Sequence, residues 1–195
     1  MLTFDEASHT YRYNGIVVPG VTTILSPLTD FSRVPPHVLR AAADFGTAVH
    51  LACELDDLRT LDEDSLDPSL FPYLKAWRQF SADHEVEWEL IEHPVYHKAL
   101  GYAGTLDRSG RVKGLATVLD IKSSALLYPS VGPQLAAYQQ ASEYPTVQRM
   151  AVQLKSNGTY VAKTYTDPTD WPVFASLLTL RNWCARHDIT PSFKD

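Results

Sequence analysis

Between residues 86 and 121 the chain runs through three stretches rich in β-branched and aromatic residues: Val86 to Tyr96, Tyr102 to Asp107 and Ala116 to Ile121. Gly101, Ser109-Gly110 and Gly114 separate them as turns. No other feature restricts the fold as much, because a three-stranded meander needs apolar cover that it cannot supply itself. Helical periodicity on both sides supplies that cover. Upstream, Pro35-Pro36 precede a helical pattern from His37 to about Leu58, and Leu74, Trp77 and Phe80 mark a second from about Leu70 to His84. Downstream, Pro133 opens a helix to about Ser142. Val147 to Leu154 and Tyr160 to Thr166 then form a hairpin about Ser156-Asn157-Gly158, and Asp167-Pro168 cap a last helix to about His187.

The N-terminus adds short strands at Leu2 to Phe4, Tyr11 to Tyr13 and Ile16 to Val18, with Asn14-Gly15 as a turn and Val21 to Leu25 as a short helix. The order predicts an α/β (α+β) fold with a central mixed sheet flanked by helices and an N-terminal helical elaboration. A length of 195 residues suits one domain, 1–195. Its parts are an N-terminal β/turn segment (1–34), a helical part (35–85), a core of sheet and helix (86–166) and a C-terminal helix (167–187).

With 45% hydrophobic and 21% charged residues the chain is neither disordered nor fibrous. No apolar run approaches the roughly 18 residues of a membrane span, and MLTFDEASH is too acidic for a secretory signal, so a cytoplasmic protein is expected. Two cysteines, Cys53 and Cys184, cannot build a disulfide framework or a four-thiolate site and read as small buried apolar residues. The net charge of −6 is local: residues 54–67 hold seven acids against Arg59, leaving 16 bases and 16 acids elsewhere. That run reads as a solvated helix end and loop. A strongly basic stripe is absent, but a local basic groove is permitted.

Asp120-Ile121-Lys122 ends an apolar strand, and a period of two puts Asp120 and Lys122 on one face. With 23 acids and seven lysines, chance yields about 0.8 such tripeptides per chain, so the motif needs support. Asp107, thirteen residues earlier, is expected at the end of the preceding strand, bringing two carboxylates together. Such a pair is costly without a cation between, and hard oxygen ligands suit Mg²⁺ or Mn²⁺. In the first long helix Gly46 and His50 share a face, where a mid-helix glycine costs about 1 kcal/mol and allows close approach. Gln134 and Tyr138, also four apart, are placed to hydrogen-bond a phosphate or bracket Lys122.

In order these pieces read Gly46-x-x-x-His50, Gly104-x-x-Asp107, Asp120-x-Lys122 and Gln134-x-x-x-Tyr138. This series, over roughly residues 16–165, resembles the RecB-like branch of the PD-(D/E)XK nuclease superfamily. The resemblance implies a restriction-endonuclease-like core and a metal-dependent deoxyribonuclease, most of all an exonuclease of recombination, repair or phage DNA processing. His50, Asp107, Asp120 and the backbone carbonyl of Ile121 would bind one or two Mg²⁺ or Mn²⁺ ions. Lys122 would orient or activate the attacking water, with Gln134 and Tyr138 holding the lysine and substrate. Glu92 matches a further acid of many relatives, its register left open against Glu87 and Glu89.

Val18-Pro19-Gly20-Val21-Thr22-Thr23 is similar to stand-alone phage and bacterial members, in which this turn lies near substrate; Thr22 and Thr23 follow from it. Some relatives carry an iron–sulfur cluster on four cysteines; with two, none is implied here, nor is ATP, since no P-loop is present. The implied partners are DNA with a free or single-stranded end and a recombination partner protein, and no membrane, in a bacterial or phage-infected cytoplasm. Arg40, Lys98, Arg108, Arg111, Lys113, Lys155 and Lys163 are the bases available for phosphates, and Tyr102 or Tyr138 for stacking a base. A non-catalytic DNA- or partner-binding protein on the same fold, and an endonuclease using the same site, are the alternatives.

Overall fold

A computed structural model describes residues 1–5 and 8–190. Its strands are β1 (Leu2–Asp5), β2 (Thr10–Tyr13), β3 (Ile16–Val18), β4 (Glu87–His97), β5 (Tyr102–Val112), β6 (Leu115–Lys122), β7 (Gln148–Leu154) and β8 (Tyr160–Thr164). The helices are α1 (Val21–Leu25), α2 (Pro36–Asp57), α3 (Phe71–His84), α4 (Val131–Ala141) and α5 (Asp170–Arg186). The fold is mixed α/β, as the element order predicts. The main sheet runs β4-β5-β6-β7-β8, and β1-β2-β3 form a separate antiparallel sheet. Only the β6–β7 pair of the main sheet is parallel, because α4 carries the chain over between them.

Two apolar clusters sandwich the main sheet. Val21, Ile24, Leu135, Phe174 and Leu178 pack α1, α4 and α5 on one face, and Val49, Cys53, Trp77 and Phe80 pack α2 and α3 on the other. Both cysteines are free and buried, as expected. Among the described residues no helix is long and apolar enough to cross a membrane. The small sheet is tied to β5 at its entry: Gly20 bridges Ala103, and the Tyr11 hydroxyl lies 3.0 Å from Thr105 Oγ1.

One expectation fails in an informative way. Tyr102 to Asp107 was to be a short strand ending at Asp107, with Ser109-Gly110 as a turn. Instead β5 continues to Val112, and the turn falls at Lys113-Gly114, both at positive φ. Ser109-Gly110 is strand because Gly110 faces a bulge: a Cβ there would stand 2.1 Å from the Glu87 carbonyl, where the β4–β5 register shifts between Trp88 and Leu90.

Asp107 therefore sits in mid-strand, and there β5 turns over. Tyr102 and Leu106 pack with the α1/α4/α5 cluster while Val112, at the same parity, packs with the α2/α3 cluster. Ladder pairing with β6 starts only at Arg108↔Leu119. Short of that point the strands part, and side chains occupy the gap.

Candidate active site

The gap leaves backbone groups of β6 without strand partners, and two side chains take them. The Ile121 N–H donates to Asp107 Oδ2 at 2.6 Å. Its carbonyl accepts from His50 Nε2–H of α2 at 3.0 Å. Because a carbonyl only accepts, that bond fixes the proton on Nε2 of a neutral ring and leaves Nδ1 facing the acids. Nδ1 lies 3.5 Å from Glu92 Oε1 and 3.7 Å from Asp107 Oδ2. Ligand atoms of His50, Glu92 and Asp107 all fall within 4.8 Å of one another.

Glu92 reaches this place through an unusual backbone. It is a non-glycine residue at φ 43° within β4, a conformation costing on the order of 1–3 kcal/mol unless its surroundings impose it. The flanking pairs Ile91↔Arg108 and His93↔Leu106 set it across from Asp107. Of the three acids left open by the register, Glu92 is thus the one at the cluster.

Asp120 and Lys122 stand beside this triad. Asp120 is 1% exposed, and Lys122 Nζ lies 3.1 Å from its Oδ1 and 2.8 Å from its Oδ2. The Oδ2 contact is an ion pair off the hydrogen-bonding direction, so that oxygen remains a buried acceptor with no hydrogen-bond partner. Lys122 also donates to Gln134 Oε1 at 3.2 Å, and Gln134 Nε2 donates to the Tyr138 hydroxyl at 3.4 Å. Of the two residues expected to bracket the lysine, Gln134 meets it directly and Tyr138 reaches it only through Gln134. Gly104 permits it, since a Cβ there would stand 2.7 Å from Tyr138 Cε1 and 3.1 Å from Val21.

Charge in this confined space is mutually dependent. Burial pushes Asp120 up to about 6, with Asp107 adding to the shift and Lys122 opposing it. Asp107 is likewise raised, first by burial. For His50, burial favours the neutral ring, but Asp107 and Glu92 outweigh it and raise the pKa to about 9. Lys122 moves up in the same way: burial disfavours its charge, and Asp120 and Asp107 more than offset that. Two raised acids, a raised imidazole and a buried acceptor without a hydrogen bond form a site short of positive charge, and O,O,N donors suit Mg²⁺ or Mn²⁺.

Several expected residues stand elsewhere. Arg108, expected to meet phosphate, is 0% exposed. Its Nε donates to Asp57 Oδ2 at 2.8 Å, and its Nη1 to Glu92 Oε1 at 3.0 Å and to the Asp107 carbonyl at 2.6 Å. The guanidinium also stands 5.5 Å from the Trp77 ring centre. The strand turnover at Asp107 carries this side chain inward, so it supports the acids from behind. The acidic run is not simply solvated either: Asp57 is part-buried on Arg108 and Trp77, while Asp56 and Glu63 pair with Arg78.

Thr23 lines a groove between α1 and α5 with Leu177 and Arg181, and Thr22 is exposed on α1. Tyr102 and Tyr138 are buried and offer no stacking surface. Lys98 pairs with Glu143, and Lys163 stands over the Tyr165 ring. Gly46 has only Ser123 Oγ near its missing Cβ, at 3.6 Å, so α2 approaches the loop after Lys122 there. Reasoning from sequence missed Asp57 and Trp77, whose spacing carries no signal because both act through Arg108.

No family model matches the chain, and no curated protein matches it. Among solved structures the chain is similar to the crystal structure of SSO0001, with 15% identity and a TM-score of 0.42 over 88% of this chain and 77% of that one.

Proposed function

We propose that the protein is a Mg²⁺- or Mn²⁺-dependent deoxyribonuclease that hydrolyses phosphodiesters at DNA ends. The observation that supports this best is the convergence of His50, Glu92 and Asp107 beside a buried Asp120–Lys122 pair, brought together from α2 and the three consecutive strands β4, β5 and β6. The residues fit a divalent ion: His50, Glu92 and Asp107 would hold it, with Asp120 adjacent. When bound, such an ion acts as a Lewis acid at the phosphate and lowers the pKa of its water.

The chain's own residues do the rest. Lys122 holds a positive charge beside the acids, where negative charge grows on a phosphate in the transition state. Gln134 and Tyr138 fix the direction of that ammonium. Asp107 is oriented by the Ile121 N–H, and His50 by the Ile121 carbonyl, so both depend on the course of β6. Arg108 holds Glu92 and the Asp107 carbonyl from behind.

The test is incubation of the purified chain with end-labelled linear DNA and with covalently closed circles, in Mg²⁺, in Mn²⁺ and in chelator. Linear DNA is expected to shorten to small products only with metal, and circles to persist. Circles nicked as fast as linear DNA is degraded would make the enzyme an endonuclease. No cleavage under any condition would leave a binding protein on the same fold.

A further inference from the structure

From residue 102 to residue 110, β5 is buried everywhere except at Thr105, which is half-buried. Thr105 stands two residues before Asp107, in the stretch of β5 that precedes its pairing with β6 at Arg108↔Leu119. A period of two puts both side chains on one side of the strand. Where the strands part, β5 thus opens at a hydroxyl close to an acid of the cluster.

That hydroxyl is held from outside the main sheet. Tyr11 of β2 is 4% exposed and sets its own hydroxyl 3.0 Å from Thr105 Oγ1. Its ring is stacked on Phe4, with centroids 4.4 Å apart at 23°, and Gly20 closes it in, since a Cβ there would stand 3.3 Å from Tyr11 Cε2. A ring packed in this way fixes the place of its hydroxyl. Burial raises the Tyr11 pKa and keeps the phenol protonated, while the Thr105 side chain and backbone N–H act on its oxygen and Glu92 is felt through space. A backbone N–H only donates, so the Tyr11 oxygen accepts there and its proton is left for Oγ1. Thr105 then accepts from Tyr11, and its own O–H points to an acceptor on the open side.

A neutral donor suits this place. A lysine or arginine here would pair with the acids, as Arg108 does with Glu92, whereas a hydroxyl binds an anion without competing with a metal for the carboxylates. From this we infer that Thr105 is a substrate-binding residue whose hydroxyl donates to a phosphate oxygen of the strand held at the acid cluster, and that Tyr11 is a positioning residue that aims it. The inference rests on the nuclease reading of that cluster and adds to it a task for the small N-terminal sheet.

The test reads the anisotropy of a fluorescein-labelled oligothymidylate, and of an abasic strand of equal length, on the full chain. Ca²⁺ is present as a hard cation that takes the same oxygen donors as Mg²⁺, and a gel verifies that the strands stay intact. Thr105→Val keeps the shape of the side chain without the hydroxyl. It should weaken both strands about tenfold, the lower range for a hydrogen bond to a charged acceptor, and Thr105→Ser should bind like wild type. Tyr11→Phe keeps the ring and should weaken binding in the same direction. Because Tyr11 acts through Thr105, the double variant should bind no worse than Thr105→Val alone. Thermal melting identifies any variant that fails to fold, and Thr105→Ala then serves in place of Thr105→Val.

Binding that ignores Thr105→Val, or weakens only for the strand that carries bases, overturns the phosphate contact. Losses that add up in the double variant overturn the positioning role of Tyr11. The nuclease reading fails by a different sign: if neither Mg²⁺ nor Mn²⁺ supports cleavage while Thr105→Val still weakens both strands, the contact stands and the cluster is non-hydrolytic. Cleavage by a protein whose strand affinity ignores the substitution keeps the nuclease reading and removes the contact.

Discussion

Asp120 and Lys122 each account for the charge of the other, and their separate removal should show it. Deleting the lysine leaves a carboxylate 1% exposed with no cation in contact, whereas deleting the aspartate leaves an ammonium about a quarter open to water and still bonded to Gln134. Without metal, Lys122→Ala should cost about 3 kcal/mol in urea denaturation and Asp120→Ala distinctly less; equal losses would contradict the asymmetry. With metal, Lys122→Ala should lower cleavage at least about a hundredfold.

His50 supplies the pH dependence. Its pKa, raised to about 9 in the fold, exceeds that of an unfolded histidine at 6.5. The metal-free protein thus gains stability from the protonated ring below about pH 6.5 and loses it as pH rises through 9. An ion must displace that proton, so apparent Mn²⁺ affinity should climb nearly tenfold per unit from about pH 7 toward 9, then level. Calorimetry in buffers of different ionisation enthalpy would register the released proton, and pH-independent binding would remove His50 from the ligands.

Among elements, the decisive event is the parting of β5 from β6 at Asp107, because it frees Ile121 to orient both Asp107 and His50. Arg108 ties that bend to its neighbours, joining α2 through Asp57, β4 through Glu92 and α3 through the Trp77 ring. Arg108→Met preserves bulk but strands Asp57, whose pKa burial already raises. The variant should lose about 3–5 kcal/mol and weaken metal binding together. Adding Asp57→Leu should recover much of the stability, while metal affinity stays low because Glu92 has lost its anchor. A double-mutant cycle read by both denaturation and metal titration separates the two effects, and coupled recovery of both would make Arg108 purely structural.

At the scale of the whole molecule, acidic and neutral regions are segregated, and this should limit how many phosphates are met. The excess negative charge lies in residues 54–67, partly consumed by Arg108 and Arg78. The segment entering α2, the first turns of α2 and the end of β6 carry the bases Arg33, Arg40 and Lys122. Three phosphates neutralised on a single strand predict a slope of about −2 for log affinity against log salt. Anisotropy between low and moderate salt measures it, and a slope steeper than about −5 would mean that bases elsewhere carry the strand.

What the sequence determined alone is whatever rests on local period and local sterics. The helix over 36–57 follows from Pro35-Pro36 and apolar spacing, and the last strands from a Ser-Asn-Gly turn; the last helix follows Asp167-Pro168 as expected, but Thr169 is its N-cap and Asp167 instead accepts from the Thr169 N–H ahead of it. Even the meeting of Gln134 with Tyr138 was legible, because residues four apart on a helix share a face. Tertiary structure alone decided which groups face which. A strand's period of two predicts side only while the strand stays regular; at Glu92 and Asp107 it does not, since one sits at positive φ and the other where pairing with β6 stops. That irregularity moved Arg108 from a phosphate contact to a buried support, brought Glu92 to the triad and made Asp57 its anchor. Exposure was equally beyond reach: Tyr138 and Tyr128 are alike in sequence, but α4 turns one into the core and leaves the other at its entrance.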